Sequence, residues 1–252
     1  RVRLTPAGRR LSEHAVTILA AVEAARLDLD PGAEPAGSVR VAGFATAVRR
    51  SLLPIAARLA VSHPRVRLHI HEHEPAEAFA LLATDDVDLA LTYDYDLAPA
   101  AFSPTVQATP LWSASWSLGV PADTPAVPGT ALAVFERFRR HHWIVNSRNT
   151  ADEDVVRTVA SMARFEPRIT HRTDSLDLVQ DLIVAGLGVG LLPADQPTLP
   201  GIGLLPLADP DIRLRSYAVT RRGRADWPPL ALVLDLLTTR AAGPDGPSHR
   251  AR

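Results

Sequence analysis

Four short segments carry the side chains best suited to gripping a small anion: Ala45-Thr46-Ala47, Tyr93-Asp94, Asn146-Ser147-Arg148 and Thr173-Asp174-Ser175. Each follows a strand-like run or opens a helical one. Helix starts leave backbone N–H groups unpaired and carry partial positive charge. Ligands of α/β sheets sit at the carboxyl ends of strands, beside such starts. Hydroxyl, amide and guanidinium groups add further donors, and an arginine can take a carboxylate in a bidentate contact. Read singly, these residues are ordinary caps, Thr173–Ser175 above all. Read as a set, they predict a binding cleft for a small carboxylate, with Thr46 and Arg148 approaching it from opposite sides.

Other constellations carry less. Gly186, Gly188 and Gly190 spell G-x-G-x-G, but a dinucleotide loop needs a strand before it and a helix after it. Here a helical run precedes and an apolar strand follows, so the glycines read as a helix C-cap and a close strand contact. His69, His71 and His73 alternate along one strand, as metal ligands could. Neighbours at i and i+2 stand about 6.6 Å apart, awkward for one ion, and the run reads as the polar face of an edge strand at a subunit interface. His141 and His142 close the basic run Arg137–His142. Asp85–Asp86 and Asp152–Asp154 sit where a polar loop and a helix start expect acidic residues. Neither a G-x-S-x-G elbow nor an H-E-x-x-H pair is present, and with no cysteine there is no thiolate chemistry. The expectation is no catalytic set, no metal and no cofactor.

The elements that must position these groups read as α/β. Val39–Gly43 is a strand and 47–62 a helix. Val66, Leu68 and Ile70 alternate as a second strand. A helix follows at 75–84, then a third strand ending near Thr92. Residues 96–110 read as proline-dotted loop and extended chain. A second unit opens with a strand at 116–120. It continues with Trp143–Val145, helices near 151–163 and 174–186, and a strand at 188–192. Tyr217–Thr220 and a helix from Pro228 to Arg240 close the fold, and 241–252 read as a disordered tail. The 252 residues are 46% hydrophobic with net charge −1. That is enough for a two-lobed core and too neutral for a nucleic-acid-binding domain by itself. All 27 basic residues are arginine. No apolar stretch reaches the roughly 18 residues that span a bilayer, so the expectation is a cytoplasmic protein with no membrane partner.

Before the first strand lies a different pattern. Thr5-Pro6 is a strong helix start. Leu11, Ala15, Ile18, Val22, Ala25 and Leu29 then fall at alternating four- and three-residue steps, the seam of a short coiled coil. Asp30–Ser38, rich in Pro and Gly, is a linker. Met162 is the single methionine, so a segment is expected ahead of Arg1.

The run from Arg1 to Leu11, "RVRLTPAGRRL", resembles the end of the winged helix-turn-helix of a LysR-type transcriptional regulator passing into its linker helix, with Val2 and Leu4 as the last wing strand. Leu53-Pro54, His63-Pro64, Glu74-Pro75 and Asp88-Leu89-Ala90 stand where that family's effector-binding domain has them. "RTDSLDLVQDLIVAG" and "VAGLGVGLLP" resemble its glycine-rich junction and the segment before it. Residues 121–142 and the Ser-Ala-Ser before the "SLGV" strand depart from the pattern. The resemblance implies a two-lobed, type 2 periplasmic-binding-protein-like fold behind a dimerising helix. Residues 1–29 would be wing end and linker helix and 30–37 the linker. Lobe I would be 38–112 with 213–240, and lobe II 113–212. It further implies that the four segments above line an inter-lobe cleft for a small effector. The partners would be DNA through a preceding winged helix-turn-helix, a second copy or a tetramer, and RNA polymerase. Two alternatives share the scaffold: a free solute-binding protein of a transporter, which would not need Arg1–Leu29, and an enzyme, which would need a catalytic pair in the cleft.

Overall fold

A computed structural model describes residues 5–30, 34–126, 128–148 and 150–242. Two compact units emerge. The described residues up to Thr92, with Phe102–Leu111 and those from Ser216 on, form one; Tyr93–Ala101 and Trp112–Arg215 form the other. Relative to the boundaries read from sequence, the chain visits the second unit once more, at Tyr93–Ala101. Expectations for Val2, Leu4 and most of the tail lie outside the described residues.

In the first unit, helix α1 (Pro6–Leu29) begins where Thr5 Oγ1 accepts the Gly8 N–H at 3.0 Å. Strand β1 (Gly37–Gly43) lies between β2 (Val66–Glu72) and β3 (Leu89–Tyr95), parallel to both, with Val41 level with Ile70 and Leu89. This parallel arrangement follows from the strand-helix-strand alternation. Helix α2 (Ala45–Ala47), a π turn (Val48–Leu52) and α3 (Leu53–Ser62) form one continuous helical run. The helix expected at 47–62 therefore starts two residues earlier and is not uniform. Helix α4 (Pro75–Ala83) is set by a capping box between Glu74 and Glu77 with proline at its first turn. It packs Ala78 and Leu82 on Ala42, Ala90 and Val219. Beneath that layer Asp88, 2% exposed, accepts from Arg40 and Arg224 at 2.9–3.0 Å.

Several sequence readings are corrected. The third strand does not stop at Thr92 but continues through Tyr93 to Tyr95, every residue buried; the two tyrosines suit the extension. The last part of the stretch read as proline-dotted loop and extended chain belongs to β4 (Val106–Pro121), which runs without a break into the strand expected at 116–120. Its alternating Trp112, Ala114 and Trp116 are all buried, and Pro110 does not stop it. In the second unit β4 pairs antiparallel with β7 (Val189–Pro193) and β8 (Ile202–Pro206). β7 pairs in parallel with β5 (His142–Val145), and β5 with β6 (Arg168–Arg172). Helices α5 (Ala131–Arg137), α6 (Ala151–Met162) and α7 (Leu176–Val184) cover these strands. Val179 and Ile183 of α7 pack on Ile144 and Leu192. Strand β9 (Arg213–Arg221) is twice as long as expected, and α8 (Pro228–Ala242) takes in Ala241 and Ala242, assigned from sequence to the disordered tail.

Gly186 has φ +72 and ends α7, with Leu187 N–H bonded to the Leu182 carbonyl at 3.0 Å. A Cβ on Gly188 would lie 2.8 Å from the His142 carbonyl oxygen. The glycine series is thus a helix cap followed by a close strand contact. The histidine reading is corrected in one respect: β2 ends at Glu72, so His73 lies past the strand, its Nδ1 3.2 Å from Glu77. β2 is the edge strand of its sheet.

Candidate functional site

The first unit contributes one segment. β1 ends at Gly43, where a Cβ would come within 3.0 Å of the Leu91 Cβ. Phe44 then stands extended (φ −70, ψ 150) at the N-cap of Ala45–Ala47 and supplies no side-chain hydrogen bond to the helix start. The Val48 N–H closes the first turn on the Phe44 carbonyl at 3.1 Å. Ala47 is fully buried, while Ala45 and Thr46 are half-buried. Among the described residues, the Thr46 hydroxyl has no hydrogen-bond partner. A cap site without its capping side chain, followed at once by a hydroxyl without a partner among the described residues, carries the donors that an external acceptor would need. The π turn directly behind it is a feature that often accompanies binding sites.

The second unit holds the other eight residues. Tyr93 accepts from Asn146 Nδ2 at 2.9 Å, and Asn146 Oδ1 takes the Asp152 N–H at 2.9 Å, so this buried amide pins the start of α6. Tyr95 donates to Asp152 at 2.8 Å. Ser147, Arg148 and Asp174 form the second group. Asp174 accepts the backbone N–H groups of Ser147 at 2.9 Å and Arg148 at 3.2 Å, the Ser147 hydroxyl, and Arg148 Nε at 2.9 Å. Burial pushes the Asp174 carboxyl up, but these donors outweigh it and hold the group below its ordinary value. The place where an external carboxylate would meet the Ser147–Arg148 amides is therefore filled by the chain's own carboxylate. Thr173 and Ser175 are caps: Thr173 Oγ1 accepts the Ser175 N–H at 3.2 Å and Ser175 Oγ the Leu178 N–H at 3.3 Å.

Asp94 stands apart from both groups. Its two oxygens take Arg215 Nε and Nη2, each at 2.8 Å, and the Ala100 N–H at 2.9 Å, a bidentate pair that fixes the Tyr93–Ala101 excursion. Sequence reading missed Arg215, yet a signal existed: Arg213 and Arg215 alternate on one strand. Arg213 reaches Ser113 and Ser115, also two apart, at 3.0 Å each.

The comparisons agree with this architecture. The family described as "LysR substrate binding domain" matches residues 32–242. The transcriptional dual regulator GltC of Bacillus subtilis (strain 168) is 24% identical over 194 residues, covering 76% of this chain and 63% of GltC, so the chain spans under two thirds of that curated relative. HinK, a LysR family transcriptional regulator from Pseudomonas aeruginosa, shares the fold with a TM-score of 0.68 at 21% identity, over 94% of this chain and 81% of HinK. The C-terminal domain of a probable LysR family regulator from Rhodococcus sp. RHA1 is similar with a TM-score of 0.63 at 20% identity, over 79% of this chain and 99% of that one.

Proposed function

The chain belongs to the LysR family through its substrate-binding domain, and from that premise we propose that it is the effector-sensing part of a transcriptional regulator. DNA is read by a winged helix-turn-helix module lying outside these residues, and α1 joins the two parts and dimerises. The ligand is a small carboxylate, received in the first unit by the Ala45–Ala47 helix start and the Thr46 hydroxyl. The observation that carries this is the helix start with no capping side chain beside a threonine hydroxyl that has no partner among the described residues. In the second unit, Arg148 is half of an ion pair with Asp174, so its charge is already neutralised within that loop. Tyr93 and Asn146 hold the loop, and Asp94, Thr173 and Ser175 act as scaffold.

The seam of α1 supports the dimer. Leu11, Ile18, Val22 and Leu29 are 70%, 61%, 49% and 84% exposed. Ala25 is exposed and Ala15 half-buried, while Ala20 on another face is fully buried. An apolar row left in water on a 24-residue helix suits a partner helix.

A thermal-shift screen of small carboxylic acids, followed by calorimetry, tests the sensing role. Thr46→Val should weaken the best ligand about three- to tenfold, one neutral hydrogen bond's worth. Equal binding by the folded variant would remove Thr46 from the site. A screen with no binder would count against the carboxylate class.

A further inference from the structure

The second unit has a groove that the sensing role does not use. It measures about 660 Å³ and lies between the end of α5 and the Gly186–Val189 turn, with Pro121, Asp123 and Thr124 on its rim. His142 opens β5 at this groove, whereas Asn146–Arg148 follow the other end of the same strand. At about 3.3 Å per residue the two places are roughly 13 Å apart.

Charge divides the groove. On one wall stand Arg137, Arg140, His141 and His142, all exposed. Among the described residues, neither guanidinium has a carboxylate or hydrogen-bond partner, although their neighbour Arg139 is paired with Glu136 at 2.7 Å. The buried Phe138 packs against the His141 ring at 4.9 Å and steadies that wall. On the other wall α7 ends at Val184–Gly186, and a helix C-terminus carries partial negative charge that favours hydrogen-bond donors and repels anions. Asp123 adds an acceptor there and is likewise without a side-chain partner. Gly188 also lines the groove, and there a Cβ would lie 2.8 Å from the His142 carbonyl oxygen.

A ligand for this groove needs a doubly charged anionic end for two unpaired guanidiniums and an end rich in hydroxyl donors for the acceptor wall. We propose that the groove is a second ligand site, for a phosphorylated sugar or polyol, with the phosphate on Arg137 and Arg140 and the hydroxyls toward Asp123 and the end of α7. The volume suits such a molecule. The acceptors Asp123 and the end of α7 favour it over the phosphate backbone of a nucleic acid, whose successive charges they would repel. The site is independent of the carboxylate site proposed above, because none of these residues belongs to it.

Calorimetry of the full 252-residue chain with ribose 5-phosphate, inorganic phosphate and ribose is the test. Ribose 5-phosphate should bind most tightly, inorganic phosphate more weakly, and ribose not measurably. Arg137→Ala/Arg140→Ala should weaken both phosphates at least about tenfold. Asp123→Ala should weaken ribose 5-phosphate alone. Arg58→Ala/Arg67→Ala, two exposed arginines of the first unit, should change nothing. The double groove variant should melt, without ligand, at the wild-type temperature; if it does not, Arg137→Gln/Arg140→Gln, which keeps the side-chain stems, should reproduce the loss. No saturable binding of ribose 5-phosphate up to about 10 mM would overturn the proposal. So would equal affinity for inorganic phosphate, binding unchanged in the groove variants, or a DNA duplex that binds the wild type and loses binding with the same variants.

Discussion

Asp174 grips Arg148 from both of its carboxylate oxygens: Oδ2 lies 2.9 Å from the guanidinium Nε, and Oδ1 lies 3.2 Å from the same residue's backbone nitrogen. With Ser147 N at 2.9 Å, the loop after β5 is wrapped around a carboxylate belonging to the chain itself. Asp174→Ala should therefore release a ready-made anion site. The expected outcome is a stability loss of about 1–2 kcal/mol, discounted because Arg148 is partly exposed. Acetate or formate, which gives no response with the wild type at this loop, should restore stability in the variant. Denaturant titrations with and without the anion check both halves.

Acid should loosen the chain through two carboxylates. Burial raises Asp88 and Asp174, yet hydrogen bonds from Arg40 and Arg224, and from Ser147 and Arg148, hold both below the ordinary value of 3.8. A depressed folded-state value means the stabilisation is complete above the unfolded value and is lost as pH falls through the folded one. Stability should therefore be flat with respect to these groups above pH 3.8 and fall below it. Asp88→Asn should lower stability at neutral pH and make the acid limb shallower, measured by urea midpoints across pH.

The α1 seam should carry association. Ile18→Asp with Val22→Asp places charges in a row that is 61% and 49% exposed in the single chain. The isolated fold should tolerate them, while the partnered helix should not. Sedimentation should show a shift toward monomer with an unchanged circular dichroism melt. An unchanged oligomer would remove α1 from the interface.

Gly188→Ala should be among the costlier single-methyl substitutions in the chain. Its Cβ would meet backbone, the His142 carbonyl at 2.8 Å, and Ile144 at 3.2 Å, so β7 must shift from β5 at a cost of about 1–3 kcal/mol. Gly186→Ala, at φ +72 with open space around it, should cost about 1 kcal/mol from backbone strain alone. Thermal unfolding of the two variants checks the order.

Local chemistry was legible in the sequence where a residue acts on its own neighbours. Thr5-Pro6 starts α1, Glu74-Pro75 starts α4, Ser175 caps α7 and Gly186 ends it. Boundaries failed where a long-range partner overrides local signals. Pro110 suggested loop, yet β4 passes through it because Trp112, Ala114 and Trp116 find a buried face. Short elements such as β6, β8 and α5 carry too few residues for a period to show. In the candidate site, residue types marked out loops but not who bonds whom. Asp94 with Arg215, 121 residues apart, and Asp174 with Ser147, 27 apart, are pairings of the folded chain. No spacing rule in the sequence encodes them.

Amide chemical shifts read the central claim most directly. In a ¹⁵N-labelled chain titrated with the best carboxylate from the screen, the account expects saturable shifts at the Ala45, Thr46 and Ala47 amides, with the same midpoint as the calorimetric one. Thr46→Val should move that midpoint about three- to tenfold higher. Saturable shifts elsewhere, with Ala45–Ala47 unmoved, would contradict the assignment of this helix start as the effector's anchor.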